Sequence, residues 1–369
     1  MILTGPVLLD ATEATAGADW LRIEAGVIAE LGRGRPPGPV VDLGEGWLVP
    51  GFVDMHVHGG GGASFQTDDP ADPDDAVAFH RAHGTTTLLA SLVSAPLDEL
   101  VAAVRRLADA TAAGLIAGVH LEGPWLAASR AGAHAPEALT TPAPADVHRL
   151  LESGPVRMVT LAPELPGAAA AIRLLRAHGV TVAVGHTAAT YDETLAAVAA
   201  GATVGTHLFN AMAPLHHRAP GPALALLEDP SVVVELVVDG VHLHPALTRW
   251  VLATAPGRVA LVTDAISATG CCDGTYRLGS LDVSVVDGAP RLAGTDTIAG
   301  SVLTMDAAVR NAVAGGSALR LVIAAATATP ARALGLHDRG SLTVGHRADL
   351  VHLSPELTVR RTWVAGEEV

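Results

Sequence analysis

The chain predicts an α/β fold: a (β/α)8 TIM-like barrel with a small β-sandwich domain formed by the N- and C-terminal segments. Three observations carry this. Short apolar runs alternate with helix-period stretches through the middle of the chain, giving eight strand candidates over roughly 210 residues. Both ends read instead as short strands broken by Gly, Pro and Asp. Histidines and carboxylates recur at the ends of five of the eight strand candidates, the edge at which barrels of this kind carry their chemistry.

At the N-terminus, residues 7–9, 20–23, 26–31 and 40–43 have strand texture. It returns at 340–342, 348–353 and 359–366, so residues 1–49 and 340–369 are expected to form the small domain, with 50–339 inserted as the barrel. The barrel strands are expected at 52–58, 85–91, 115–121, 157–161, 181–185, 202–206, 232–238 and 258–263. Helical stretches are expected at 96–113, 145–153, 168–178, 191–200 and 245–255. A doubly wound open sheet is the alternative, but no Gly-rich dinucleotide turn follows the early strands. Gly59-Gly60-Gly61-Gly62 lacks that spacing and reads as a loop. After Asp264 the alternation breaks into a β-hairpin insertion near 275–292, with Asp287-Gly288 at its turn. Helices at 303–314 and 319–334 then close the barrel.

Composition narrows the function. Hydrophobic residues make up 49% of the chain and aromatic ones only 3%, so Ala, Val and Leu must fill the core. No apolar run reaches the roughly 18 residues of a membrane span, and Met1-Ile2-Leu3-Thr4 opens no basic signal sequence. A cytoplasmic protein with no membrane partner is expected. The net charge of −15 argues against nucleic acid, while a local basic pocket can still take an anionic small molecule. No lysine occurs anywhere, so arginine supplies every fixed cation. Cys271 and Cys272 are adjacent, a spacing at which a disulfide is strained, and read as free thiols of a reducing compartment.

The candidate chemistry centres on the stretch from Val184 to Arg218. Two strands ending in His186 and His207 flank a helix, and such a βαβ unit brings both strand ends to one edge. The first strand ends in His56-Val57-His58, whose period of two puts both imidazoles on one face. Another ends in His120-Leu121-Glu122 and the eighth in Asp264. Imidazoles and carboxylates at one rim suit a divalent ion, Zn²⁺ first, with Fe²⁺, Co²⁺ or Mn²⁺ also compatible. His120 reads better as a buried, hydrogen-bonded strand residue than as a ligand. Asp54 reads as a carboxylate orienting His56 or His58. His216 and His217 read as solvated neighbours of Arg218, and His244 as a residue of the surface or the outer site.

The segments PGFVDMHVHG, HLEGPW, VGHT, GTHLFNAM, DGVHLHP, LVTDA and Ile298-Ala299-Gly300-Ser301 resemble the amidohydrolase superfamily and, within it, the N-acetylglucosamine-6-phosphate deacetylase family. The likeness runs the length of the chain; HLEGP and HLFNAM are specific to that branch. It implies that Glu122, His186 and His207 are the primary metal ligands and Asp264 the catalytic acid/base. It implies that His134, beside the substrate-binding Ala133, polarises the acetyl carbonyl. Asn210, the backbone of Ala211, Arg218 and His242 would contact the sugar phosphate, with Arg218 reaching the neighbouring site of a homodimer. Some members lack the H-x-H pair and use one metal. Here His56 and His58 make a second ion chemically available, with Glu122 as bridge, so one or two ions per chain are expected.

The implied activity is metal-dependent hydrolysis of the N-acetyl group of N-acetylglucosamine-6-phosphate, giving glucosamine-6-phosphate and acetate in amino-sugar catabolism and cell-wall recycling. Asp264 would take a proton from the attacking water and return it to the departing nitrogen, His134 would stabilise the oxyanion, and the fork of Arg218 suits phosphate. A deacetylase for the galacto epimer is not separated by these residues. A hydrolase of small cyclic amides is disfavoured, because that class commonly bridges its metals with a carboxylated lysine. A non-catalytic barrel is disfavoured by the complete ligand set.

Overall fold

The structure, a computed structural model, describes residues 1–11, 15 and 17–369. Eight parallel strands surround the core: β1 (Phe52–Val57), β2 (Thr85–Val93), β3 (Val119–Glu122), β4 (Val156–Leu161), β5 (Thr181–Val184), β6 (Val204–Gly205), β7 (Val233–Val237) and β8 (Val259–Val262). They pair in sequence order from β1 to β8. The ring closes just beyond the strands. Asp264 N–H donates to the carbonyl of His56 at 2.8 Å, and His58 N–H to that of Ala265 at 2.8 Å. Closure therefore joins the two strands that end in His56-Val57-His58 and Asp264, and holds those side chains at one rim.

Helices cover the strands outside, so both faces of each strand are buried and the sequence is a near-continuous apolar run. Such a run ends where the chain meets the rim, and a site residue follows two positions after each of β5, β6 and β8. The β5–β6 unit shows this well. Its helix, Tyr191–Ala200, starts at a capping box in which Thr190 and Glu193 satisfy each other's backbone N–H groups.

The terminal segments build two further sheets. One holds Ile2–Thr4, Trp20–Glu24, Val27–Gly32 and Val41–Asp42. The other joins Val7–Leu8 and Trp47–Pro50 to Leu350–Leu353, Val359–Val364 and Glu367–Glu368. Leu3, Leu21, Ile28, Leu48, Leu350 and Trp363 pack between them as a core separate from that of the barrel. Among the described residues no helix is long and apolar enough to cross a membrane.

Several elements depart from expectation. The stretch 319–334 is two helices, Leu319–Ala326 and Ala328–Ala333, broken at Thr327. Pro330 has no N–H to give the carbonyl of residue 326, and Thr327 turns its hydroxyl back to the carbonyl of Ile323 at 2.6 Å. The stretch 96–113 likewise divides into Leu97–Arg106 and Ala108–Ala112, where ψ of Leu107 opens to −1°. Helices Asp72–Ala82 and Gly221–Glu228 lie outside the expected set. The glycine run after β1 is a tight hairpin, Gly59–Gly60 against Ala63–Ser64. Gly61 and Gly62 turn it with φ of 63° and 93°, values a side chain would resist. The insertion after β8 has three antiparallel strands: Gly274–Leu278, Leu281–Val286 and Ala289–Leu292.

Candidate metal centre and substrate pocket

Glu122, at the end of β3, lies at the middle of the rim. Its Oε1 stands 3.1 Å from Nε2 of His186 and 3.1 Å from Nε2 of His207, and those two nitrogens are 3.1 Å apart. Its Oε2 is 3.5 Å from Nε2 of His56 and 3.3 Å from Nε2 of His58, which are themselves 3.2 Å apart. Glu122 thus belongs to two buried triads, His56–His58–Glu122 and Glu122–His186–His207, each able to hold one ion. Donors bonded to one tetrahedral ion at about 2.1 Å stand about 3.4 Å apart, so both triads have the spacing of a coordination shell. Asp264 Oδ1 lies 3.3 Å from Nε2 of His58 and 3.5 Å from Nε2 of His56.

The backbone aims these groups. His186, His207 and Asp264 have φ of 46°, 23° and 51°, left-handed values that cost a non-glycine residue about 1–2 kcal/mol each. Each sits two residues past its strand, where the turn swings the side chain over the barrel mouth. The second nitrogen of each imidazole is largely accounted for. His56 Nδ1 meets Glu235 Oε2 at 3.0 Å, His58 Nδ1 meets the carbonyl of Ser91 at 3.2 Å, and His186 Nδ1 meets the carbonyl of Arg130 at 2.8 Å. With the proton held on Nδ1, the Nε2 lone pair faces the centre.

Burial and charge compete here. Desolvation pushes the carboxyl of Asp264 up, but the charge of His56 and a hydrogen bond from His58 outweigh it and hold the group well below the usual range. Glu122 is held low in the same way by His56 and His134 against its burial. Burial lowers His56 and His58, yet the carboxylates around them raise both overall. A metal bound at these nitrogens would displace any proton they carry.

His134 is buried with its Nε2 3.3 Å from Glu122 Oε2. Ser94 donates its N–H to Nδ1 at 3.1 Å, so the neutral ring carries its proton on Nε2, toward the pocket. Burial and the neighbouring His186 lower its pKa to about 4. His120 behaves as a strand residue. Its nitrogens meet Ser91 Oγ and Thr160 Oγ1, both at 2.9 Å, and burial and His56 keep it well below its usual value. Asp54 touches neither imidazole of the pair. It accepts from the hydroxyl of Thr263 at 2.6 Å and from backbone N–H groups, His56 included, and so ties β1 to β8. The carboxylate on the His56 ring is Glu235 instead, an inward residue of β7 that its apolar run conceals.

A cavity of about 370 Å³ opens over the centre, lined by Ala133, His134, Asn210, Ala211, His242 and Asp264 together with His58, Glu122, His186 and His207. Asn210 also caps the β6 turn, its amide donating to the carbonyls of His207 and Leu208 at 3.2 Å each. His242 is fixed by Asp239, whose Oδ2 is 2.7 Å from its Nδ1; burial lowers this histidine, and Asp239 raises it by more. Leu278, Asp296, Thr297 and Ile298 of the insertion and the stretch after it also line the cavity, as does Arg130. Arg218 is not on this cavity. It is exposed, 2.8 Å from Nε2 of His217, in a separate groove with Tyr191 and His216. His244 caps the helix Pro245–Thr254 by accepting from Ala246 N–H. Cys271 and Cys272 are free and exposed.

Residues 47–369 match the model of the amidohydrolase family. The chain superposes on an aspartate-to-alanine variant of N-acetyl-D-glucosamine-6-phosphate deacetylase from Mycobacterium smegmatis, solved with N-acetyl-D-glucosamine-6-phosphate. The TM-score is 0.96 and the identity 51%, over 100% of this chain and 98% of that one. The chain belongs to the N-acetylglucosamine-6-phosphate deacetylase family of amidohydrolases. Among curated relatives, N-acetylglucosamine-6-phosphate deacetylase of Danio rerio is 38% identical over 89% of this chain and 86% of its own. N-acetylgalactosamine-6-phosphate deacetylase of Escherichia coli O157:H7 is 40% identical over 94% and 93%. Membership of this family agrees with the two triads, which share one carboxylate and need no lysine.

Proposed function

We propose that this chain removes the N-acetyl group of N-acetylglucosamine-6-phosphate by metal-dependent hydrolysis, releasing acetate and glucosamine-6-phosphate. The observation that carries the reading is the Glu122 centre: two triads at ligand spacing, with Asp264 within 3.5 Å of both imidazoles of one and His134 within 3.3 Å of the shared carboxylate. The donor set of imidazole and carboxylate fits Zn²⁺, Fe²⁺, Co²⁺ or Mn²⁺, and Zn²⁺ suits it well. When bound, such an ion supplies a Lewis acid and lowers the pKa of a coordinated water to about 7.

The protein's own groups do the rest. Asp264, held ionised, accepts the proton of the attacking water and passes it to the sugar nitrogen as the C–N bond breaks. His134 donates its Nε2–H to the carbonyl oxygen as charge develops on it. Asn210, the backbone of Ala211, Ala133 and His242 hold the sugar phosphate across the cavity. Arg218 faces outward in one chain, as it would if it served the pocket of a partner in a homodimer. We assign the residues 50–339 to the catalytic unit and 1–49 with 340–369 to the small β-domain. Residence in the cytoplasm accords with this substrate class. A second reading, the galacto epimer as substrate, is favoured by the Escherichia coli relative. Acetate release from the two epimers by the purified chain decides between them.

A further inference from the structure

Glu235 sits inside β7, fully buried among Val and Leu neighbours. A single oxygen, Oε2, serves both halves of the centre. It faces His56 Nδ1 at 3.0 Å and accepts from the backbone N–H of His207 at 3.1 Å. Oε1 has no partner. Among the described residues no arginine pairs with this carboxylate; His56 is its one ionic neighbour within 4 Å. A buried carboxylate is expensive unless its charge is matched, and an apolar residue would suffice for packing at this position.

The match lies in the centre itself. By holding the Nδ1 proton of His56, Glu235 leaves the Nε2 lone pair of that ring directed at His58 and Glu122. Through His207 N–H it also pins the left-handed turn that presents the other triad.

We propose that Glu235 is the positioning residue of the His56–His58 pair, setting the His56 ring so that the pair can hold an ion beside Glu122. The proposal rests on the metal-centre reading above, and bound Zn²⁺ per chain, measured after saturation and removal of free metal, separates the two. Wild-type protein should hold two ions. Glu235→Ala should hold one, kept by Glu122, His186 and His207, with an unchanged far-ultraviolet spectrum. Glu235→Gln keeps an acceptor oxygen and should retain both, the second about 10- to 100-fold weaker by chelator competition. In a His56→Ala background Glu235→Gln should change nothing further. If Glu235→Ala does not fold, Glu235→Gln and the double variant carry the test. Both variants binding two ions at wild-type affinity, a folded variant losing both ions together, or wild type saturating at one would overturn the proposal. Wild type binding none would instead overturn the metal-centre reading.

Discussion

Ser94 fixes the tautomer of His134: its backbone N–H donates to Nδ1 at 3.1 Å and its hydroxyl lies 2.9 Å from the same atom. The donor aimed at the substrate is therefore the Nε2–H of a neutral ring. Removing such a donor from a developing oxyanion costs about 10²–10³ in rate. His134→Ala should lower kcat by that factor with KM little changed. Ser94→Ala keeps the backbone donor and should cost far less. A loss confined to KM in steady-state kinetics would contradict this role.

Asp264 lies 3.3 Å from His58 and is held ionised by it and by His56. Asp264→Asn is nearly isosteric but cannot take a proton. Turnover should fall by about 10²–10⁴ while the fold persists. Substantial residual kcat in folded protein would remove Asp264 from proton transfer.

Arg218 is exposed and lies in a groove apart from the cavity of its own chain. Arg218→Ala should raise KM for the phosphorylated sugar far more than for free N-acetylglucosamine. Mixing Arg218→Ala with an Asp264→Asn variant should restore activity in part, because a hybrid dimer has one intact site. Equal losses on both substrates, or no recovery on mixing, would mean that Arg218 does not read phosphate across a dimer.

Asp306 supplies a stability test away from the centre. Burial pushes its carboxyl up, but hydrogen bonds from His83, Thr304 and Arg310 bring it down to about 2. A depressed carboxylate stabilises the fold at pH values above its unfolded pKa and loses that contribution as pH falls toward the folded value. Asp306→Asn should therefore cost about 2 kcal/mol above pH 4, with the gap narrowing toward pH 2. A gap in denaturant stability that stays constant with pH would contradict the assignment.

The barrel is legible because strands buried on both faces are written as largely apolar runs, with ligand-type residues gathered at or just past their C-terminal ends. The ends of β1, β3, β5, β6 and β8 accordingly carry His56 and His58, Glu122, His186, His207 and Asp264 near the positions expected. The same logic hides Glu235 and Ser94. A lone carboxylate inside β7 looks like a flaw in a strand, and a serine after β2 looks like a turn. Their roles depend on neighbours 179 and 40 residues away. The helix Asp72–Ala82 escaped because its acidic residues and Pro73 obscure a narrow apolar face of Ala76, Val77 and His80. Asp54 was placed near the right histidine but on its backbone, a distinction that spacing does not encode.

The central claim is metal-dependent deacetylation of one sugar phosphate. Acetate release by chelator-stripped protein, with and without added Zn²⁺, measures it on N-acetylglucosamine-6-phosphate, its galacto and manno analogues and unphosphorylated N-acetylglucosamine. The account predicts negligible release without metal, recovery on its addition, and the highest kcat/KM for the gluco phosphate. Full activity in stripped protein, or equal turnover of the unphosphorylated sugar, would contradict it.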